Sequence, residues 1–88
     1  MHVIVSGDVQ GVGYRYTLRM IAAEAGASGW VRNRRDGTVE AEVEGTPDQV
    51  DAVLAWMAEG PPGSRVDAAT TADREARGGS GFDVLPTA

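Results

Sequence analysis

An arginine closes a glycine-rich run near the start of this chain, Val5-Ser6-Gly7-Asp8-Val9-Gln10-Gly11-Val12-Gly13-Tyr14-Arg15. An apolar stretch enters the run and a helical pattern leaves it, so the glycines fall on a strand-to-helix bend. Glycine lets the backbone turn its N–H groups inward around a small ligand. The start of the helix adds further unpaired N–H groups and the positive end of a dipole. Arg15 contributes a permanent charge with a two-pronged donor face. This combination is an anion cradle, and phosphate is the ligand that suits it best.

Other chemistries lack their reagents. There is no cysteine, which excludes disulfides, thiolate metal sites and thiol nucleophiles. The one histidine, His2, lies at the chain start, and it reads as a strand residue near the surface, not as a general base or metal ligand. Metal-ligand motifs and the phosphate-loop lysine are missing, and the spacing of Gly7, Gly11 and Gly13 does not fit the dinucleotide fingerprint, since Tyr16 stands where the third glycine belongs.

A cradle with an arginine can still hydrolyse a substrate whose leaving group departs as a stable anion. A mixed anhydride of a carboxylic acid with phosphate releases a carboxylate, which needs no proton from the enzyme at neutral pH. The protein then has to hold the phosphoryl group, spread its charge and place a water in line. The cradle and Arg15 serve the first two needs. Asn33, a neutral side chain that both donates and accepts, is the candidate for the third.

The elements that must position these groups are legible from periodicity. Residues 2 to 6 form a short β-branched strand ending at Gly7. Tyr14, Leu18, Ile21, Ala22 and Ala25 recur at the helical period, with Gly26 at the C-terminal cap. Trp30 to Asn33 reads as a second strand. Thr38 to Glu44 reads as a third, with Val39, Ala41 and Val43 on one face and Glu40, Glu42 and Glu44 turned to water on the other. Arg34-Arg35-Asp36-Gly37 supplies the hairpin turn between them.

Thr46-Pro47-Asp48-Gln49 is a capping box with proline at the first helical position, followed by Val50, Val53, Leu54 and Met57 at core spacing. Gly60-Pro61-Pro62-Gly63 ends that helix. Ser64 to Ala69 predicts a strand around Val66, residues 70 to 81 a loop, and Phe82 to Leu85 a short closing strand. Trp30, Trp56 and Met57 read as core or core-edge packing. Arg32, Arg34 and Arg35 read as solvated hairpin charges. The order predicts an α+β fold of ferredoxin-like β-α-β-β-α-β type, an antiparallel sheet with two helices on one face.

Length and charge bound the setting. The 88 residues make one domain, 1–88, with one modest core. Net charge is −5, but residues 1–37 carry five arginines against three acids, while the remainder carries three arginines against ten acids. A basic half that contains the cradle fits a small anion, and the acidic balance argues against nucleic acid. No leader or spanning segment is visible, so the expected setting is a cytoplasmic monomer, apart from membranes, with no cofactor.

Two stretches resemble signatures of the acylphosphatase family: Gly7 to Arg15, and Gly29-Trp30-Val31-Arg32-Asn33-Arg34-Arg35-Asp36-Gly37-Thr38-Val39. They stand in the right order and are separated by one helix. The resemblance continues to about Val66 and more loosely to Phe82. It implies a small metal-free enzyme that cleaves acyl phosphates to a carboxylate and inorganic phosphate. On this chain it implies that Arg15 binds the phosphate, that Asn33 orients the attacking water, and that backbone N–H groups of Gln10, Gly11, Val12, Gly13 and Tyr14 complete the cradle.

Two positions depart from the family pattern. Asp8 stands where a basic residue is common and is expected to weaken steering of the anion. Tyr14 stands where phenylalanine is common and keeps the ring. A non-catalytic anion-binding module on the same fold is the competing reading; the presence of Asn33 beside Arg15 favours the enzyme. Membership in a larger maturation enzyme is disfavoured by the short length.

Overall fold

A computed structural model describes residues 1–88. Seven elements follow one another: β1 (His2–Asp8), α1 (Tyr14–Ala25), β2 (Ser28–Asn33), β3 (Val39–Glu44), α2 (Pro47–Glu59), β4 (Arg65–Ala72) and β5 (Phe82–Val84). The strands form one sheet in the order β4-β1-β3-β2-β5. The βαββαβ order and the two-helix layer are as expected. The sheet itself is mostly, not wholly, antiparallel, because β5 runs parallel to β2. After β4 the chain crosses from one edge of the sheet to the other and enters β5 in the direction of β2.

The core lies between the sheet and both helices. Val3 and Val5 of β1, Val31 of β2, and Val39, Ala41 and Val43 of β3 are fully buried against Tyr14, Leu18 and Ala22 of α1 and Val53 and Met57 of α2. Each such aliphatic side chain contributes about 1.5–3 kcal/mol by leaving water. Ile21, Ala25, Val50 and Leu54, on the edges of the helical stripes, are only half-buried. The helices lie antiparallel. Tyr14 at the start of α1 donates its hydroxyl to the Met57 carbonyl near the end of α2, at 2.7 Å, and its ring lies 5.1 Å from that of Trp56. Removal from water pushes the Tyr14 hydroxyl pKa well up, so it stays a donor.

The helix ends are stopped as the local residues dictate. In α2, Thr46 and Gln49 exchange both capping bonds and Pro47 occupies the first turn. In α1, the N–H of Gly26 and that of Ala27 close on Ala23 and Ala22.

Three expectations are corrected. Strand β4 extends through residues 70–72, placed in the loop by their polarity; it pairs with β1 as far as His2↔Ala72, in keeping with the strand preference of the β-branched Thr70 and Thr71. The glutamates of β3 do not face open water. Glu40 accepts from His2 Nε2 and Arg32 Nε, each at 2.7 Å, and Glu42 is only 6% exposed beneath Trp30 Nε1 at 2.8 Å and Arg77 Nε at 3.3 Å. Trp30 and Arg32 therefore serve the helix-free face of the sheet. Neither is core or a freely solvated charge, and the Arg32 guanidinium stacks 5.0 Å from the Trp30 ring.

No helix is long and apolar enough to cross a membrane.

Candidate active site

The loop between β1 and α1 is shaped by its glycines. Gly11 and Gly13 have φ of 75° and 77°, left-handed values that L side chains adopt at a cost of about 1–2 kcal/mol. Mirror-image dihedrals at neighbouring residues point successive N–H groups to the same side. No N–H from Val9 to Gly13 donates to a backbone carbonyl. Of the amides expected in the cradle, those of Gln10, Gly11, Val12 and Gly13 are thus left unused by the rest of the backbone.

The start of α1 strengthens the same point. Gly13 is its N-cap, no side chain caps it, and no acid lies in its first turn. The contrast with α2 is direct, since that helix has a full capping box and Asp48 in its first turn. A cation in the first turn also opposes the helix dipole, yet Arg15 stands there. It has no acidic partner among the ion pairs of the molecule. Its guanidinium instead lies 5.6 Å from the centroid of the exposed Tyr16 ring. An uncapped positive helix end carrying an unpaired arginine is destabilising alone and is relieved by an anion.

Asn33 ends β2 and is 9% exposed. Its register partner across the hairpin is Val39, and its Oδ1 is a buried acceptor with no hydrogen-bond partner. Such atoms are rare in folded proteins and cost about 1–3 kcal/mol when unsatisfied. The turn that follows closes through Gly37 N to Arg34 O at 3.1 Å. Asp36 takes hydrogen bonds from the Thr38 hydroxyl and N–H, and these hold its carboxyl below the usual range.

The fold brings the cradle and the Asn33 end of the hairpin together through a side chain whose role the sequence did not reveal. Gln10 Nε2 donates to Arg34 O at 2.7 Å and to Thr38 O at 2.9 Å. Only the backbone of Gln10 was expected to take part; the one signal for its side chain is a long amide within a bend of glycines and valines. The chain end was missed as well: Ala88 N donates to Asn33 O at 3.0 Å and Ala88 O accepts from Arg35 N at 2.9 Å, extending the β2–β5 pairing alongside Asn33.

Asp8 is exposed, as expected at a strand end, and lies beside Arg65. No group of three or more His, Asp or Glu side chains is placed to hold a metal ion. The surface cavities, of about 180–390 Å³, all lie against residues 74–81 and include neither the cradle nor Asn33. A phosphoryl group is small, and convergent N–H groups on an open bend can hold it without depth.

Comparison with known proteins identifies the family. The acylphosphatase family profile matches residues 1–84. An acylphosphatase of Synechococcus sp. (strain JA-2-3B'a(2-13)) is 46% identical over 87 residues, 99% of this chain and 93% of the relative. That of Thermococcus kodakarensis is 44% identical over 84 residues, 96% and 92% of the two chains. The crystal structure of acylphosphatase from Bacillus subtilis superposes with a TM-score of 0.90 at 36% identity, covering 96% of this chain and 94% of the other.

Proposed function

Because the chain belongs to the acylphosphatase family and is an enzyme that hydrolyses acyl phosphates, we propose that the uncapped start of α1 is where the phosphoryl group is held. The N–H groups of Gln10, Gly11, Val12, Gly13 and Tyr14 donate to its oxygens, and Arg15 clasps it with a paired donor face. Asn33 orients the attacking water through its amide. The water oxygen forms the new bond to phosphorus in line with the departing oxygen. The carboxylate leaves with the electron pair of the broken P–O bond, and the water proton passes to the phosphate product. Since the carboxylate is stable at neutral pH, no side chain has to act as an acid.

The observation that carries this reading is the contrast between the two helix starts. One is fully capped and acidic, while the other is bare, glycine-led and carries an unpaired arginine. The buried free acceptor of Asn33 supports the second role.

The test is a pair of variants assayed with acetyl phosphate. Arg15→Ala is expected to lose at least about 100-fold in kcat/KM and to lose competitive inhibition by inorganic phosphate. Asn33→Ala is expected to lose a similar factor in kcat while phosphate inhibition holds. Equal loss of phosphate affinity in both variants would refute the division of roles. Turnover is further expected to persist in a chelator, in keeping with a chain that has no cysteine and one histidine. Action on a diffusible substrate by a cytoplasmic monomer completes the proposal; sedimentation at assay concentration checks the monomer.

A further inference from the structure

We propose that the side chain of Gln10 is a positioning residue for hydrolysis, acting through Asn33 by tying the β2–β3 hairpin to the phosphate loop. Both hydrogens of its amide are used, one on Arg34 O at 2.7 Å and one on Thr38 O at 2.9 Å. Thr38 O also accepts from Arg34 N at 2.9 Å, so Gln10 grips the two residues that close the neck of the hairpin. Those residues flank a single rung of the sheet. Asn33 precedes Arg34, and its partner Val39 follows Thr38.

On the far side of β2, Ala88 holds the Asn33 carbonyl and the Arg35 N–H. On the side of the loop the grip is that of Gln10. The tip beyond it, Arg35 to Gly37, is exposed. Gln10 thus places its own backbone N–H in the cradle and its side chain on the element that presents Asn33. The separation between the phosphoryl site and the Asn33 amide is set within one residue. An error of about 1 Å in such a placement costs about 100-fold in rate.

The inference rests on the proposed role of Asn33, and its test separates the two. Gln10→Met keeps the length of the side chain and removes the donors. Gln10→Glu presents a carboxylate that both carbonyls repel, and as the protonated acid it regains one donor. Acetyl phosphate turnover and inhibition by inorganic phosphate are measured below the unfolding temperature of each variant.

Gln10→Met is expected to lower kcat about 10- to 100-fold and to leave the phosphate inhibition constant within about twofold. In an Asn33→Ala background the same change is expected to cost less than about threefold, since the group it positions is gone. Gln10→Glu is expected to match Gln10→Met at pH 7 and to regain activity as pH is lowered towards about 5, a rise absent from the unsubstituted enzyme.

An unchanged kcat in folded Gln10→Met overturns the inference. So does the same loss in both backgrounds, or a phosphate inhibition constant that rises in step with the loss. Should Gln10→Met fail to fold, a flat pH profile for Gln10→Glu overturns it. If Asn33→Ala alone leaves kcat intact, the role of Asn33 is wrong and this inference falls with it, while the Arg15→Ala phenotype keeps the cradle reading separate.

Discussion

Asp8 and Arg65 are register partners at the end of the β1–β4 pair, with Asp8 Oδ2 3.6 Å from Arg65 Nη1. Asp8 also immediately precedes the loop proposed to hold the phosphate. Arg65 therefore offsets part of a negative charge that would otherwise repel the substrate. Both side chains are about two-thirds exposed, so solvent screens the pair and it adds little to stability. Its effect falls on association. Asp8→Asn is expected to raise kcat/KM for acetyl phosphate about two- to threefold at low ionic strength, with the gain vanishing near 1 M salt, where screening acts over about 3 Å. Steady-state kinetics across a salt series check this.

The bend should tolerate volume but not a change of conformation. A Cβ at Gly13 would meet nothing nearer than Thr17 Oγ1 at 4.0 Å, so the cost of Gly13→Ala is the φ of 77° alone. That is about 1–2 kcal/mol, a fall in Tm of about 4–16 °C for a domain of this size. The phosphate inhibition constant is expected to rise at least about threefold, because the relaxed backbone turns its N–H groups away. Thermal unfolding and inhibition assays on one preparation test both.

Stability and activity should separate at the start of α2. Thr46 caps this helix, and Gly26, at the end of α1, lies against Gln49, which puts the cap a full length of α1, about 18 Å, from Arg15. Thr46→Ala is expected to cost about 1 kcal/mol and to leave kcat and phosphate inhibition unchanged. Chemical denaturation with parallel assays measures the separation.

Acid sensitivity should trace to Glu40. Burial alone raises the pKa of its carboxyl, but hydrogen bonds and charges from His2 and Arg32 outweigh it and hold the group below its ordinary 4.5. With the folded value depressed, the unfolded chain binds more protons in acid. The contribution of Glu40 to stability is therefore complete above about 4.5 and is lost as pH falls through the folded value. Glu40→Gln is expected to flatten the fall in denaturation midpoint between about pH 4.5 and 3. A residual slope is expected from Asp36, whose carboxyl is also held low, chiefly by the Thr38 hydroxyl. Urea titrations over that range decide the matter.

What the sequence determined by itself is what neighbours along the chain decide. The period of Leu18 and Ala22 or of Val53 and Met57, the Thr46–Gln49 capping box, the glycines at positions 11 and 13 and the turn at Asp36-Gly37 all act within a few residues. The two helices, the strand order along the chain and the glycine-led bend that precedes Arg15 were legible for that reason. The tertiary structure alone decided what joins distant segments. It set β5 parallel to β2, put Glu40 and Glu42 of β3 beneath His2, Trp30, Arg32 and Arg77, and lengthened β4 through exposed residues that carry no apolar alternation. It also brought the Gln10 amide onto Arg34 and Thr38, 24 and 28 residues away. A hydrogen bond across such a span leaves no periodicity in the sequence, because its geometry belongs to the assembled sheet and not to either segment.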